Sequence, residues 1–211
     1  MNVDVLVFTC AQYAHLIPKH LTMFERVFPL PYQLTYVVAG TNTVDVPSRY
    51  RCDCTKFVTM RDNGMAANVL DYLAGRVEPF LMLMDDHMLF EADAGLIEKA
   101  RDIVRLDNIG CVRLVPWPGP TLECGLAYFG EIDKALEYAI SLQASFWRPK
   151  TFRDLLDRAW SPWQIELEGS KRAASYAARF IGCKTCAINY KDYMLRGKPR
   201  PDHAAWVDAR L

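Results

Sequence analysis

An unbroken apolar run from Val3 to Cys10 opens the chain, the signature of a strand covered on both faces. Leu16 to Phe28 follows with helical spacing; Leu21, Phe24 and Phe28 fall on one face, and Pro29 and Pro31 end the element. Leu34 to Ala39 reads as a second strand, closed by Gly40 and Asn42, and Lys56 to Met60 as a third. Gly64 to Val77 is periodic as a helix, with Met65, Val69, Tyr72 and Leu73 inward. Pro79 to Met84 is the most apolar strand of all. A helical stripe through Leu96, Ile97, Ala100, Ile103 and Val104 spans Asp93 to Leu106, and Gly110 to Val115 is another strand. This alternation of strand and helix predicts an α/β fold with a mostly parallel sheet flanked by helices.

The second half is less regular. Leu122 to Phe129 and Lys184 to Asn189 read as strands, and Ile132 to Leu142, Phe152 to Ala159 and Lys171 to Phe180 as helices. From Arg196 onward the chain is rich in Pro and charge and is expected to be irregular. A length of 211 residues, 51% of them hydrophobic, fits one compact domain with a full core. Lys plus Arg and Asp plus Glu are balanced at 25 each, so global charge selects neither nucleic acid nor a membrane surface.

No apolar run approaches the ~18 residues of a membrane span, and the start does not read as a signal peptide because Asp4 interrupts it. Cys10, Cys111 and Cys124 sit in apolar runs as buried thiols, and a reduced, cytoplasmic protein is expected. Cys183 and Cys186 have redox or half-zinc spacing, but Cys52 and Cys54 are one residue too close to complete a zinc site; ordinary thiols are the expectation. Walker A, GxGxxG and Gly-x-Ser-x-Gly sequences are all absent.

Ligands of open α/β sheets bind at the carboxyl ends of the strands. Asp85, Asp86 and His87 directly follow the buried run Phe80–Met84. Adjacent carboxylates there need partners. A divalent cation, Mn²⁺ or Mg²⁺, suits their hard oxygens, and a His87 nitrogen would favour Mn²⁺. A loop cap or an ion pair with an Arg explains the carboxylates equally well. Arg113, charged within an apolar run, suggests an ion pair with Asp85 or Asp86, or a phosphate contact.

The layout of strand, helix, Asn-Gly helix and acidic-ended strand resembles the GT-A glycosyltransferases, over about the first 115 residues. Arg61-Asp-Asn-Gly64-Met-Ala-Ala67-Asn68 looks like the stretch preceding the acidic motif in their family-2 group, and Asp85 and His87 stand at the two key places of Asp-x-Asp. The final Asp is replaced by His, so Asp86 is a candidate to take over a metal role. Ser141-x-x-x-Ser145-x-Trp147 and Pro162-Trp163-x-x-Glu166 are similar to a pattern in bacterial and viral sugar transferases.

The resemblance implies a single GT-A-like (Rossmann-like) domain over residues 1–211. Its parts are a nucleotide-sugar-binding half to residue 115, an acceptor half to 195 and an irregular tail. The implied reaction moves a sugar from a nucleotide-sugar, UDP-sugar favoured, to a hydroxyl of a glycan or small molecule, or to a hydroxymethylated base in phage DNA. Thr9, Cys10, Tyr13, Arg61, Asp62, Asn68 and Asp85 would bind the donor. Asp85, Asp86 and His87 would hold the metal, and Glu166 would be the base, with Glu168 in reserve. Trp117, Trp147 and Trp163 would offer stacking faces to the acceptor. A structural Glu166 and core-packed tryptophans are the ordinary alternatives. The Arg196–Arg200 tail is a candidate to close over donor phosphates; together with Lys171 and Arg172 it is also the candidate groove for DNA. A monomer or weak dimer is expected. Two other classes compete: a sugar nucleotidyltransferase, disfavoured because Thr9 to His15 contains no Gly, and a non-catalytic sugar- or nucleotide-binding module.

Overall fold

The computed structural model describes residues 2–41 and 53–211; Asn42 and Cys52 lie outside them. The first half follows the apolar pattern closely. β1 (Val3–Cys10), α1 (Ile17–Val27, entered through a 3-10 turn at Ala14–Leu16), β2 (Tyr32–Ala39), β3 (Thr55–Met60), α2 (Met65–Tyr72), β4 (Phe80–Met84), β5 (His87–Ala92), α3 (Ala94–Ile103) and β6 (Ile109–Arg113) succeed one another. The second half comprises β7 (Phe129–Glu131), β8 (Ser145–Trp147), α4 (Pro149–Leu155), α5 (Pro162–Ala173), β9 (Arg179–Cys183), β10 (Ile188–Asp192), β11 (Met194–Leu195), β12 (Lys198–Pro199) and α6 (Pro201–Asp208).

Eight strands form one sheet in the order β3-β2-β1-β4-β8-β6-β9-β7. All pairings within it are parallel except those made by β8 and by β7. Because side chains alternate across a strand, Val3, Val5 and Val7 of β1 join Leu21 and Phe24 of α1 and Ile97 and Ala100 of α3 on one face. Leu6 and Phe8 join Val69 of α2, Phe152 of α4 and Ile165 of α5 on the other. Both faces are therefore covered, which is why these strands read as continuous apolar runs. Strand order reverses between β1 and β4, which makes a crevice at their carboxyl ends.

Several expectations for the second half are corrected. No helix forms over Ile132 to Leu142. Its backbone instead makes successive tight turns, with Tyr138 at φ 60°. The cause is Arg113, which is fully buried and donates to the carbonyls of Pro118 (2.8 Å), Tyr138 (2.9 Å) and Ala139 (2.8 Å). Arg113 thus meets neither Asp85 nor Asp86 and spends its guanidinium on backbone.

Leu122 contributes only an isolated bridge to Glu131. The helix placed at Lys171 begins at Pro162, because Ser161 and Gln164 form a capping box and proline suits the first helical position. Phe180 consequently belongs to β9. The tail is not irregular: β11 and β12 form a hairpin turning at Arg196 and Gly197, both at positive φ. Ala204 and Val207 of α6 then pack on Leu16, Met23 and Met88. Of the thiols, Cys111 is buried, whereas Cys10 and Cys124 are partly exposed.

Candidate active site

A cavity of about 880 Å³ opens at the carboxyl ends of β1, β2 and β4, within the size range of small-molecule sites. Its floor is the β1–β4 crevice. Thr9, at the end of β1, donates its hydroxyl to Asp85 Oδ2, at the end of β4. Cys10 at the last position of β1, Tyr13 from the turn after it, Asp62 from the loop after β3 and Asn68 from the first turns of α2 line the same space. Asp62 holds its loop by accepting from the Gly64 N–H at 3.0 Å. Of the expected donor-binding residues, only Arg61 lies outside the cavity wall; it is exposed.

Asp85 is 5% exposed, and burial pushes its carboxyl up to about 7, with the neighbouring Asp86 charge adding to the shift and the Thr9 hydrogen bond opposing it. Burial likewise pushes Asp86 up to about 6, helped by Asp192. Among the described residues, no Lys or Arg forms an ion pair with either carboxylate. Two desolvated carboxylates without a countercharge fit a hard divalent cation of the kind bound through one or two carboxylates plus substrate phosphates.

His87 lines the same cavity beside the acidic pair. Its Nδ1 accepts the Met84 N–H at 3.3 Å, and its ring stacks on Tyr190 with centroids 4.0 Å apart. Burial lowers its pKa to about 3, so its ring is neutral. Among the described residues, no three His, Cys, Asp or Glu side chains form a metal-binding group.

The opposite wall comes from the second half. Glu166, one and a half turns into α5, accepts at Oε1 from the Leu142 N–H (2.9 Å) and from Ser141 Oγ (3.1 Å). Both donors fall on one oxygen, so Oε2 is left for the cavity. Trp163, at the start of α5, is 62% exposed at the cavity lip. Trp147 is instead completely buried in β8, with Phe152 and Phe180 on its ring at centroid distances of 4.7 and 5.7 Å, so it has no face for an acceptor. Trp117 is exposed but does not line the cavity. Glu168 pairs with Lys171.

The third wall joins residues not singled out from the sequence, Tyr190 and Asp192 of β10 and Leu195, to the Arg196–Arg200 tail that was. Arg196 and Gly197 at the hairpin turn and Arg200 at the N-cap of α6 help enclose the cavity. Arg196 and Arg200 are the only Lys or Arg side chains lining it among the described residues. Arg200 lies 4.0 Å from Asp192. The basic Arg196–Arg200 cluster was the visible signal; its position depended on a hairpin and helix that a charged, proline-rich tail does not announce.

The fold has counterparts among solved structures. A mannosyltransferase from Pyrobaculum calidifontis, solved with GDP-Man and Mn²⁺, is similar over 98% of this chain and 60% of its own, with a TM-score of 0.60 at 14% identity. TarS of S. aureus, solved with UDP, aligns over 89% of this chain and 60% of its own, with a TM-score of 0.61 at 14% identity. The fold is that of the GT-A glycosyltransferases. A cytidylyltransferase from Leptospira borgpetersenii shares the α/β architecture over 100% of this chain and 95% of its own, with a TM-score of 0.51 at 9% identity. At these identities the likeness is one of fold alone, and the chain spans about 60% of the two transferases with which it shares the GT-A fold. No protein-family model matches the sequence, and no curated protein matches it. Among the described residues, no helix is long and apolar enough to cross a membrane.

Proposed function

We propose that the protein transfers a sugar from a nucleoside diphosphate donor, UDP-sugar favoured, to a hydroxyl of a glycan or small-molecule acceptor. The observation that carries this reading is one cavity with Thr9, Asp85 and Asp86 on its floor and a tethered Glu166 on its opposite wall. The nucleoside lies against Thr9, Cys10, Tyr13, Asp62 and Asn68. The diphosphate points to the acidic pair, and Arg196 and Arg200 face its charge across the cavity. Bound by Asp85 and Asp86, a divalent cation would supply positive charge to the leaving diphosphate.

Glu166 Oε2 takes the proton of the acceptor hydroxyl as that oxygen bonds to the anomeric carbon. The bond from carbon to phosphate oxygen breaks, and the nucleoside diphosphate leaves with the electron pair. Trp163 offers its exposed face to the acceptor. Lys171 and Arg172 pair with Glu168 and Asp157 at the exposed surface.

Melting curves with UDP, GDP, CMP and dTDP, each with Mn²⁺, Mg²⁺ or EDTA, test donor binding by mass action. A metal-dependent shift for one nucleotide, followed by nucleotide release from the matching sugar donor, supports the reading; no shift for any of them removes it. The near full-length overlap with a cytidylyltransferase favours one second reading, nucleotidyl transfer. Pyrophosphate release from CTP with a sugar substrate would select it. Donor binding without turnover would select the binding module.

A further inference from the structure

The wall of the cavity that carries Glu166 is apolar. Met65 at the start of α2, Met84 at the end of β4 and Leu142 before β8 line it, and all three pack in one hydrophobic cluster. Pro162 and Trp163 open α5 and carry the wall to the cavity lip, one turn ahead of Glu166. α2 and α5 are in contact, so the helix that bears Met65 adjoins the helix that bears Glu166. Both methionines are half-buried, Pro162 is exposed and Trp163 is 62% exposed, so these side chains are open to a ligand.

This composition selects among acceptors. A saccharide carries a hydroxyl on nearly every ring carbon, and each one brought against an apolar wall loses its water without gaining a partner. Among the described residues, α5 and the loop before β8 bring only two hydrogen-bonding polar residues to the cavity besides Trp163, Glu166 and Gln143, and the Gln143 Oε1 is itself buried. A flat apolar ring suits the same wall. Methionine adapts its shape and its sulfur favours aromatic edges, and tryptophan stacks on ring faces. The one polar group such a ring must present is the hydroxyl that reacts, and Glu166 Oε2 is placed to take its proton. A phenol ionises at about 10, as tyrosine does, so it yields a proton to a carboxylate more readily than a sugar hydroxyl does.

We propose that the acceptor is a small aromatic compound that bears the reacting hydroxyl on its ring and packs against the two methionines and Trp163. This rests on the glycosyltransferase reading of the cavity and narrows its acceptor. The phenolic oxygen gives its proton to Glu166 Oε2 and bonds to the anomeric carbon. The bond from that carbon to the phosphate oxygen breaks, and the nucleoside diphosphate leaves with the electron pair.

The test measures transfer from UDP-glucose, UDP-N-acetylglucosamine and GDP-mannose, with Mn²⁺, to two sets of acceptors. One set is para-nitrophenol, methylumbelliferone and resorcinol; the other is methyl glucoside, methyl mannoside and cellobiose. The expected result is a kcat/KM for at least one phenol about 10-fold or more above that of the best saccharide, the discrimination of an apolar pocket. Met65→Gln keeps the length of the side chain and removes the sulfur, so it should lower the phenol kcat/KM about 2- to 10-fold, the scale of one sulfur–ring contact. UDP and GDP affinities, measured by calorimetry, should stay within about twofold. Trp163→Ala is the second variant in case the first fails to fold. Saccharides used as well as phenols, or phenol kinetics unchanged in both variants, would overturn the acceptor assignment and leave the transferase reading intact. Nucleotide binding without transfer to any phenol would also overturn it, and failure of the wild type to bind UDP or GDP would overturn both.

Discussion

Leu142 donates its main-chain N–H to Glu166 Oε1 at 2.9 Å, so the carboxylate on α5 is tied to the loop that leads into β8. Ser141 Oγ reaches the same oxygen at 3.1 Å. Gln in place of Glu166 retains an acceptor for both bonds but loses the proton-accepting carboxylate. Glu166→Gln should therefore keep its melting temperature and nucleotide affinity while kcat falls about 10²–10⁴-fold, the usual contribution of a general base. Steady-state kinetics beside a thermal melt check it, and an unchanged kcat would reduce Glu166 to a structural tie.

Trp163 tests the acceptor wall separately. It is exposed and touches the cavity only at its lip, so its loss leaves the core untouched. Trp163→Ala should raise the acceptor KM about 5- to 50-fold, in line with the ~1–3 kcal/mol of a ring stacked on an aromatic face, while nucleotide affinity stays constant. Initial rates at varied acceptor and fixed donor would show it.

Asp85 predicts a trade of stability against function. Burial pushes its carboxyl up from the ordinary 3.8 to about 7 in the folded state. Below the lower value both states hold the proton. As pH rises, the unfolded chain ionises first, and the folded state loses stability until about pH 7. Asp85→Asn keeps an acceptor for Thr9 and removes that cost, so its melting temperature should exceed the wild type's by roughly 2–8 °C at pH 8, with the gap closing toward pH 4. Transferase activity should be lost. Melts across this range in EDTA are the measurement, since a bound cation would offset the same charge.

The parts of this architecture legible in the sequence are those fixed by local pattern. β1, β2, β4 and α3 announce themselves because strands buried on both faces need continuous apolar runs, and Asp85 and Asp86 stand out because charge rarely follows such a run. The second half was misread where a buried cation dictates the backbone. Ile132, Ala139 and Ile140 are buried as a helical stripe would be, yet Arg113 takes the carbonyls of Tyr138 and Ala139. Trp147 could not be told from a loop tryptophan because β8 has only three residues and no turn signal marks it. The contacts that hold His87, the Met84 N–H and the Tyr190 ring, are visible only in three dimensions.

His20 gives the opposite pH sign from Asp85. It is fully buried, its Nδ1 lies 2.7 Å from the Tyr36 hydroxyl, and burial lowers its pKa from 6.5 to about 3. The unfolded chain takes up this proton below about pH 6.5 while the folded chain does not, so the stability is present at neutral pH and lost as pH falls toward 3. His20→Leu should cost about 1–3 kcal/mol at pH 7 by stranding the Tyr36 hydroxyl, and the deficit should shrink at pH 5. Because Asp85 and Asp86 shift the wild-type curve the other way, the decisive quantity is the difference between variant and wild type in urea unfolding at the two pH values.

Arg113 is the strongest structural prediction. Three carbonyls, those of Pro118, Tyr138 and Ala139, accept from its buried guanidinium, and the turns they fix lead directly to Ser141, Leu142 and Gln143. Met fills much of the same volume but strands all three acceptors, at about 1–3 kcal/mol each before relaxation. Arg113→Met should therefore lower the melting temperature by more than about 6 °C, and it should also loosen the hold on Glu166. Arg113→Lys restores a charge with three donors but not the planar fork, so it should fall between the two. Amide exchange at Leu142 is the discriminating readout: protection lost in Arg113→Met and partly kept in Arg113→Lys would tie the buried cation to the catalytic wall, whereas unchanged protection would confine its role to the turns themselves.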